Sequence, residues 1–139
     1  MESLKKMDCL SQSSEYIAKE AVKILLEKKG IAVKLYDVRD KEAITDFYIV
    51  VTGRSLTHVA SLSDDLSVML EERGRAATRI EGKRGNPWIL VDYLDVIVHI
   101  FDKESREFYN FERLLAEDTL VDITDLINEV NEKFEIIKN

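Results

Sequence analysis

The sequence predicts a single α/β domain built on a mixed five-stranded sheet, and three observations carry that reading. Strand-like and helix-like segments follow one another in the order α-β-β-α-β-β-β-α, with one more helix at the C-terminus. Two runs, Trp88 to Asp92 and Asp95 to Phe101, are apolar at nearly every position, the pattern of strands covered on both faces. The passage Ile44-Thr45-Asp46-Phe47-Tyr48-Ile49-Val50-Val51-Thr52-Gly53-Arg54-Ser55 sets an apolar strand between a polar entry and a Thr-Gly-x-Ser exit onto a helix. In α/β proteins such exits are where ligands and partners meet the fold.

Each element has its own signal. Ser14 to Lys29 reads as a helix, with Ile17, Ala21, Ile24 and Leu25 on one face and Lys19, Lys23 and Glu27 opposite. Ser13 or Ser14 caps its start, and Gly30 stands where a left-handed cap is expected. Ile31 to Val38 reads as a strand, and Arg39 to Glu42 connects it to a second from Asp46 to Thr52. Ser55 or Thr57 caps a second helix carrying Val59, Leu62, Leu66 and Met69 or Leu70 inward and ending at Gly74. Ala77 to Glu81 is a short third strand, followed by the Gly82-Lys83-Arg84-Gly85-Asn86-Pro87 loop. The two apolar strands then form a hairpin through Tyr93-Leu94. A third helix is expected over Arg106 to Glu117, with Phe108, Phe111, Leu114 and Leu115 inward. Ile123, Ile127, Val130, Phe134 and Ile137 repeat at alternating four and three spacing, and Thr124 stands as a cap. A stripe this short favours a terminal helix docked on the body over a dimerising one.

Bulk properties narrow the class. A chain of 139 residues, 45% hydrophobic and 34% charged, can bury a real core as one domain. The expected division is a domain over 1–118, with a flexible stretch at 1–13, and a helical extension over 119–139. One cysteine, Cys9, allows no disulfide within the chain, and no leader or membrane-length apolar run is legible. A cytoplasmic location is therefore expected. The net charge of −7 disfavours duplex binding and favours a basic protein partner. One run opposes that balance: Arg73, Arg75, Arg79, Lys83 and Arg84 against Glu81. It reads first as a solvated loop and second as an edge contact with RNA.

Catalytic patterns are thin. No phosphate loop or dinucleotide fingerprint is present, and His58 and His99 fall in no metal-ligand pattern. His99 is expected on the strand face shared with Ile97 and Phe101, as a hydrogen-bonded sheet histidine. The Gly53-Arg54-Ser55 turn with Asp92 and Asp95 resembles half of a nucleotidyltransferase site. Two-metal chemistry needs converging carboxylates, which on one strand means i, i+2 spacing. Asp92 and Asp95 are three apart, so the expectation is a nucleotidyltransferase-like fold without a metal site, without a cofactor and without enzyme activity. Trp88 and Tyr93, with Asp46, Asp92 and Asp95, have the composition of a protein-binding surface. Composition leaves open whether Trp88 is contact or core.

Taken together, Ile44 to Val50 with Thr52-Gly53-x-Ser55, Glu81-Gly82, Trp88-Ile89-Leu90-Val91-Asp92-Tyr93-x-Asp95-Val96-Ile97-Val98-His99-Ile100-Phe101 and Arg106-Glu107-Phe108-Tyr109-x-Phe111-Glu112-x-Leu114 resemble the Iojap family, the ribosomal silencing factors (RsfS). The resemblance spans Ser14 to Asp118. It implies binding to a basic ribosomal protein on the subunit-facing side of the large ribosomal subunit, and steric exclusion of the small subunit. It also implies homodimers in isolation, with a dimer face that overlaps the ribosome face. Carried over by position, the partner-binding residues are Trp88, Asp92, Tyr93, Asp95 and His99, with Thr45, Asp46, Thr52, Gly53 and Ser55 shaping the neighbouring edge. Leu94 stands where the family hairpin usually has Gly, and Leu115 where it usually has Trp. The competing expectation is a nucleotide-binding enzyme of nucleotidyltransferase type.

Overall fold

The structure, a computed structural model, describes residues 13–138. The expectations for residues 1–12, Cys9 among them, and for the side chain of Ile137 lie outside what it describes. Helix α1 (Ser14–Glu27) opens with the Ser13 hydroxyl accepting the Tyr16 N–H at 3.2 Å. Past its end the left-handed residue is Lys29 (φ 68), not the expected Gly30. Gly30 is needed for another reason. A Cβ there would lie 2.7 Å from Val51 Cγ2 and 2.9 Å from the Leu25 carbonyl, so only glycine lets the turn pass this close to the sheet.

Strand β1 (Ile31–Asp37) pairs antiparallel with β2 (Phe47–Gly53) across an irregularity between Ile31 and Lys34. Helix α2 (Leu56–Glu72) starts at Ser55, whose hydroxyl accepts the His58 N–H at 3.1 Å. Strands β3 (Arg79–Glu81), β4 (Trp88–Asp92) and β5 (Val96–Asp102) follow. Then come α3 (Lys103–Tyr109), 3-10 turns at Phe111–Leu114 and Glu117–Thr119, β6 (Leu120–Val121) and α4 (Thr124–Lys138). The sheet runs β3-β4-β5-β2-β1-β6, and β2 with β5 is its one parallel pair. It has six strands rather than five, because a two-residue edge strand is too short to show a period in sequence.

The strand period of two sorts the side chains. Phe47, Ile49, Val51, Ile89, Val91, Val96, Val98 and Ile100 join α1 and α2 in the main core. Tyr36, Val38, Val50 and Phe101 form a smaller cluster on the other face, packed by Tyr48, Trp88, Phe111 and Leu115. The apolar stripe of α4 turns toward the body: Val130 is buried, and Lys23–Glu129 (2.9 Å) and Lys133–Glu27 (3.0 Å) tie α4 to α1. Thr124 is the first helical residue rather than a cap, and Asp122 accepts its N–H at 2.9 Å.

Two expectations are corrected. The third helix begins at Lys103, where the Asp102 carboxylate accepts the Ser105 N–H at 2.8 Å, and ends at Asn110 (φ 45). Asn tolerates that left-handed turn, and it redirects the chain after only seven helical residues. Phe108 and Leu114, expected inward, are therefore 80% and 68% exposed. The hairpin turn is also shifted by one residue. Tyr93 N–H donates to the Val96 carbonyl at 2.9 Å, so Leu94 and Asp95 form the tip.

Candidate protein-interaction surface

The shift in the hairpin decides the fate of Tyr93. One residue of slip moves a side chain to the opposite face of a sheet. Tyr93 continues the Ile89-Val91 row into the main core at 1% exposure, instead of standing at the tip beside Trp88. Burial pushes its hydroxyl pKa up to about 12, and that hydroxyl has no hydrogen-bond partner among the described residues. The exposed Trp/Tyr pair ringed by acids does not form.

The acids have structural roles. Asp92 accepts the Leu94 N–H at 2.8 Å, and Leu94 stands at φ 74, a left-handed angle that favours glycine, with the Asp95 N–H donating to the Tyr93 carbonyl at 3.0 Å across it. Its second oxygen lies 3.4 Å from Arg79 Nη2. Asp95 pairs with the Arg75 guanidinium, which also donates to the Tyr93 carbonyl at 3.0 Å. The Asp95 carbonyl accepts from the N–H groups of Asp46 (3.1 Å) and Phe47 (3.2 Å), joining the turn to the entry of β2. Asp46 accepts the Ser14 hydroxyl at 2.7 Å, and Thr45 is buried.

Thr52, Gly53 and Ser55 lie at the other end of β2, roughly 20 Å away at 3.3 Å per strand residue. Thr52 accepts a hydrogen bond from Arg106 Nη1 at 2.9 Å. The same guanidinium reaches the Ala32 carbonyl at 2.8 Å and grips Glu112 through Nε (2.8 Å) and Nη2 (3.2 Å). The Tyr36 hydroxyl donates to Glu112 Oε2, the oxygen that Arg106 Nη2 also reaches. Burial pushes the Glu112 carboxyl up, but hydrogen bonds from Arg106 and Tyr36 outweigh it and hold the pKa below its ordinary value. Gly53 is packed against α2, where a Cβ would lie 2.8 Å from Val59 Cγ2 and 2.9 Å from Val59 N.

Trp88 and His99 do come together. His99 shares its face with Phe101, as its place in β5 predicts, and is 5% exposed. Trp88 Nε1–H donates to His99 Nδ1 at 3.1 Å, which places the ring proton of His99 on Nε2. Burial lowers the His99 pKa to about 4, so the imidazole is neutral at physiological pH. The Trp88 ring stacks 5.0 Å from Phe101 and 4.9 Å from Tyr109, and His99 lies 4.2 Å from Phe111. Trp88 is neither free surface nor core: it forms the half-buried rim of an aromatic layer. Beside it a notch of about 320 Å³ is lined by Glu81, Gly82, Asn86, Pro87, Leu90 and Tyr109. Phe108, packed edge-on to Tyr109 at 5.1 Å, stands open at this rim.

Phe108 and Tyr109 are the surface residues that sequence reasoning missed. A helix of seven residues is too short to show a period, so the sequence carried no clear signal for their exposure. The basic run is mostly committed inside the fold. Arg73 pairs with Glu20 (2.8 Å), Arg75 with Asp95, Arg79 with Glu81 (3.3 Å) and Asp92, and Arg84 with Asp64. Lys83 makes no ion pair among the described residues. Among those residues no group of three or more His, Cys, Asp or Glu is placed to hold a metal ion.

Fold and surface together define an α/β domain whose most distinctive exposed feature is an aromatic rim on an otherwise acidic molecule. The comparisons give that domain a family. The family model described as "Ribosomal silencing factor during starvation" matches residues 11–138. The protein named ribosomal silencing factor from Halalkalibacterium halodurans is 29% identical over 116 residues, covering 84% of this chain and 99% of its own. The one from Haemophilus influenzae is 39% identical over 88 residues, covering 63% and 86%. A crystal structure of a Chromobacterium violaceum protein superposes with a TM-score of 0.72 at 31% identity, over 75% of this chain and 87% of that one. The chain belongs to the ribosomal silencing factor family.

Proposed function

We propose that the protein represses translation by binding a basic protein of the large ribosomal subunit on its subunit-facing side and sterically blocking the small subunit. The observation that carries this reading is the aromatic pair Trp88 and Tyr109 lining the notch beside β4, with exposed Phe108 packed edge-on to Tyr109. Aromatic side chains that are ordered before binding are the usual anchors of protein interfaces, because little further conformational entropy is lost. Trp88 is held by His99 and Phe101, so it is ordered in advance. Occlusion needs binding and no chemistry. The net charge of −7 steers the molecule toward a basic surface. Asp92 and Asp95 contribute less to that steering than their sequence suggests, because Arg79 and Arg75 already face them. An RNA contact at the edge narrows to the exposed Lys83-Arg84 loop. We also place a homodimer interface on this same apolar rim, in competition with the ribosome, and assign the protein to the cytoplasm.

The test is binding to isolated large subunits. Trp88→Ala should cost at least about 2 kcal/mol. Because Trp88 also packs internally, Phe108→Ala is the cleaner variant: it should leave stability within about 0.5 kcal/mol and still weaken binding several-fold. Normal binding by both folded variants would remove this rim from the contact.

A further inference from the structure

A second cleft, which shares no lining residue with the notch, opens at the C-terminal ends of β2 and β5. It measures about 610 Å³, within the range of small-molecule sites. Its position follows from the topology. Strands β2 and β5 are the parallel pair, and Gly53 stands in register with Asp102. From β2 the chain enters α2, which packs on the main core. From β5 it enters α3 and then Phe111 and Leu115, which pack on the opposite face. Neighbouring parallel strands whose connections leave to opposite faces open a crevice at their carboxyl ends, the usual ligand position in open α/β sheets.

The chemistry of this crevice differs from the rest of the molecule. Arg54 and Lys103 each follow directly on Gly53 and Asp102, the last register pair of β2 and β5, and so stand at the mouth of the crevice. Both line the cleft, and neither side chain makes an ion pair among the described residues. Arg106 and Glu112 neutralise each other there, which leaves Arg54 and Lys103 against Glu107 alone. An acidic protein thus lines one cleft with two cations that make no ion pair among the described residues. Ile31 and Ala32 form an apolar wall beside them.

We propose that this cleft binds a small phosphate ester with an apolar or planar body, of the size of a nucleoside monophosphate. The phosphate would lie between Arg54 and Lys103, and the body against Ile31 and Ala32. Two cations lining one cleft favour a dianion over a carboxylate. No metal and no bond-making step are required. The proposal is independent of the ribosome-binding reading, because the cleft and the aromatic notch share no lining residue.

The experiment is titration of the full chain with AMP, GMP and inorganic phosphate in EDTA, followed by calorimetry and by amide shifts in NMR. Saturable nucleotide binding at least tenfold tighter than inorganic phosphate is expected, with shifts centred on Ala32, Gly53 and Asn110. R54Q/K103Q, checked for folding by circular dichroism, should bind nucleotide at least tenfold more weakly while its affinity for large subunits is unchanged. Should the variant misfold, the wild-type shift map alone decides. Four results would each overturn the proposal: no saturation in the millimolar range, phosphate bound as tightly as nucleotide, shifts centred elsewhere, or binding of an RNA oligomer with none of a mononucleotide.

Discussion

Protonating His99 should destabilise the fold at a pH where most of its carboxylates are still ionised. The imidazole is 5% exposed, its Nδ1 accepts from Trp88 Nε1–H, and burial lowers its pKa from 6.5 to about 4. The unfolded chain then binds this proton more readily than the native one, so stability falls as pH drops from about 6.5 and the loss is complete near pH 4. Worked through the two pKa values, the loss between pH 7.5 and pH 5 is about 2 kcal/mol. The depressed carboxyls of Asp37 and Glu112 act in the same direction, but at lower pH, because their contribution is lost only as pH falls below the ordinary carboxylate range. Urea unfolding at pH 7.5, 6 and 5 measures the effect. The comparison is His99→Gln, whose amide oxygen can still accept from Trp88 but cannot titrate. The wild type should lose about 2 kcal/mol more than the variant over this range. Equal pH slopes for the two proteins would refute the reasoning.

Leu94→Gly should stabilise the fold by about 0.5–1 kcal/mol in chemical denaturation, since Leu94 holds φ 74 while 64% exposed and therefore gains little from burial. Gly53→Ala should cost about 1–3 kcal/mol, because the new Cβ meets the Val59 backbone nitrogen at 2.9 Å and α2 must move; a melting temperature equal to wild type would contradict that packing.

How much of this was legible depended on the element. Helices α1 and α2 span several turns, and their apolar spacing with Ser13 and Ser55 as caps was enough to place them. Strand β5 announced its burial by being apolar throughout, and His99 fell on the predicted face because strand parity is unambiguous. The misses came where one residue of register or one backbone angle decides the outcome. Tyr93 and Leu94 are both compatible with a turn, and only the tertiary hydrogen bond to Val96 shows which pair forms the tip. Asn110 ends α3 by a left-handed angle that a polar residue permits but does not announce. The ion pairs of Arg75 with Asp95 and Arg79 with Asp92 join residues 20 and 13 apart in sequence, so the basic run looked free until the sheet was assembled. The family was legible from the spacing of whole motifs, which does not depend on those details.

Subunit joining is the first measurement to make. Purified protein is mixed with large subunits, small subunits are added, and the joined fraction is read by sedimentation, in parallel with Phe108→Ala and Trp88→Ala. The account expects co-sedimentation with the large subunit and reduced joining by the wild type, with joining restored by the variants. Folded wild-type protein that binds no large subunit, or binds it while joining proceeds undiminished, would contradict it.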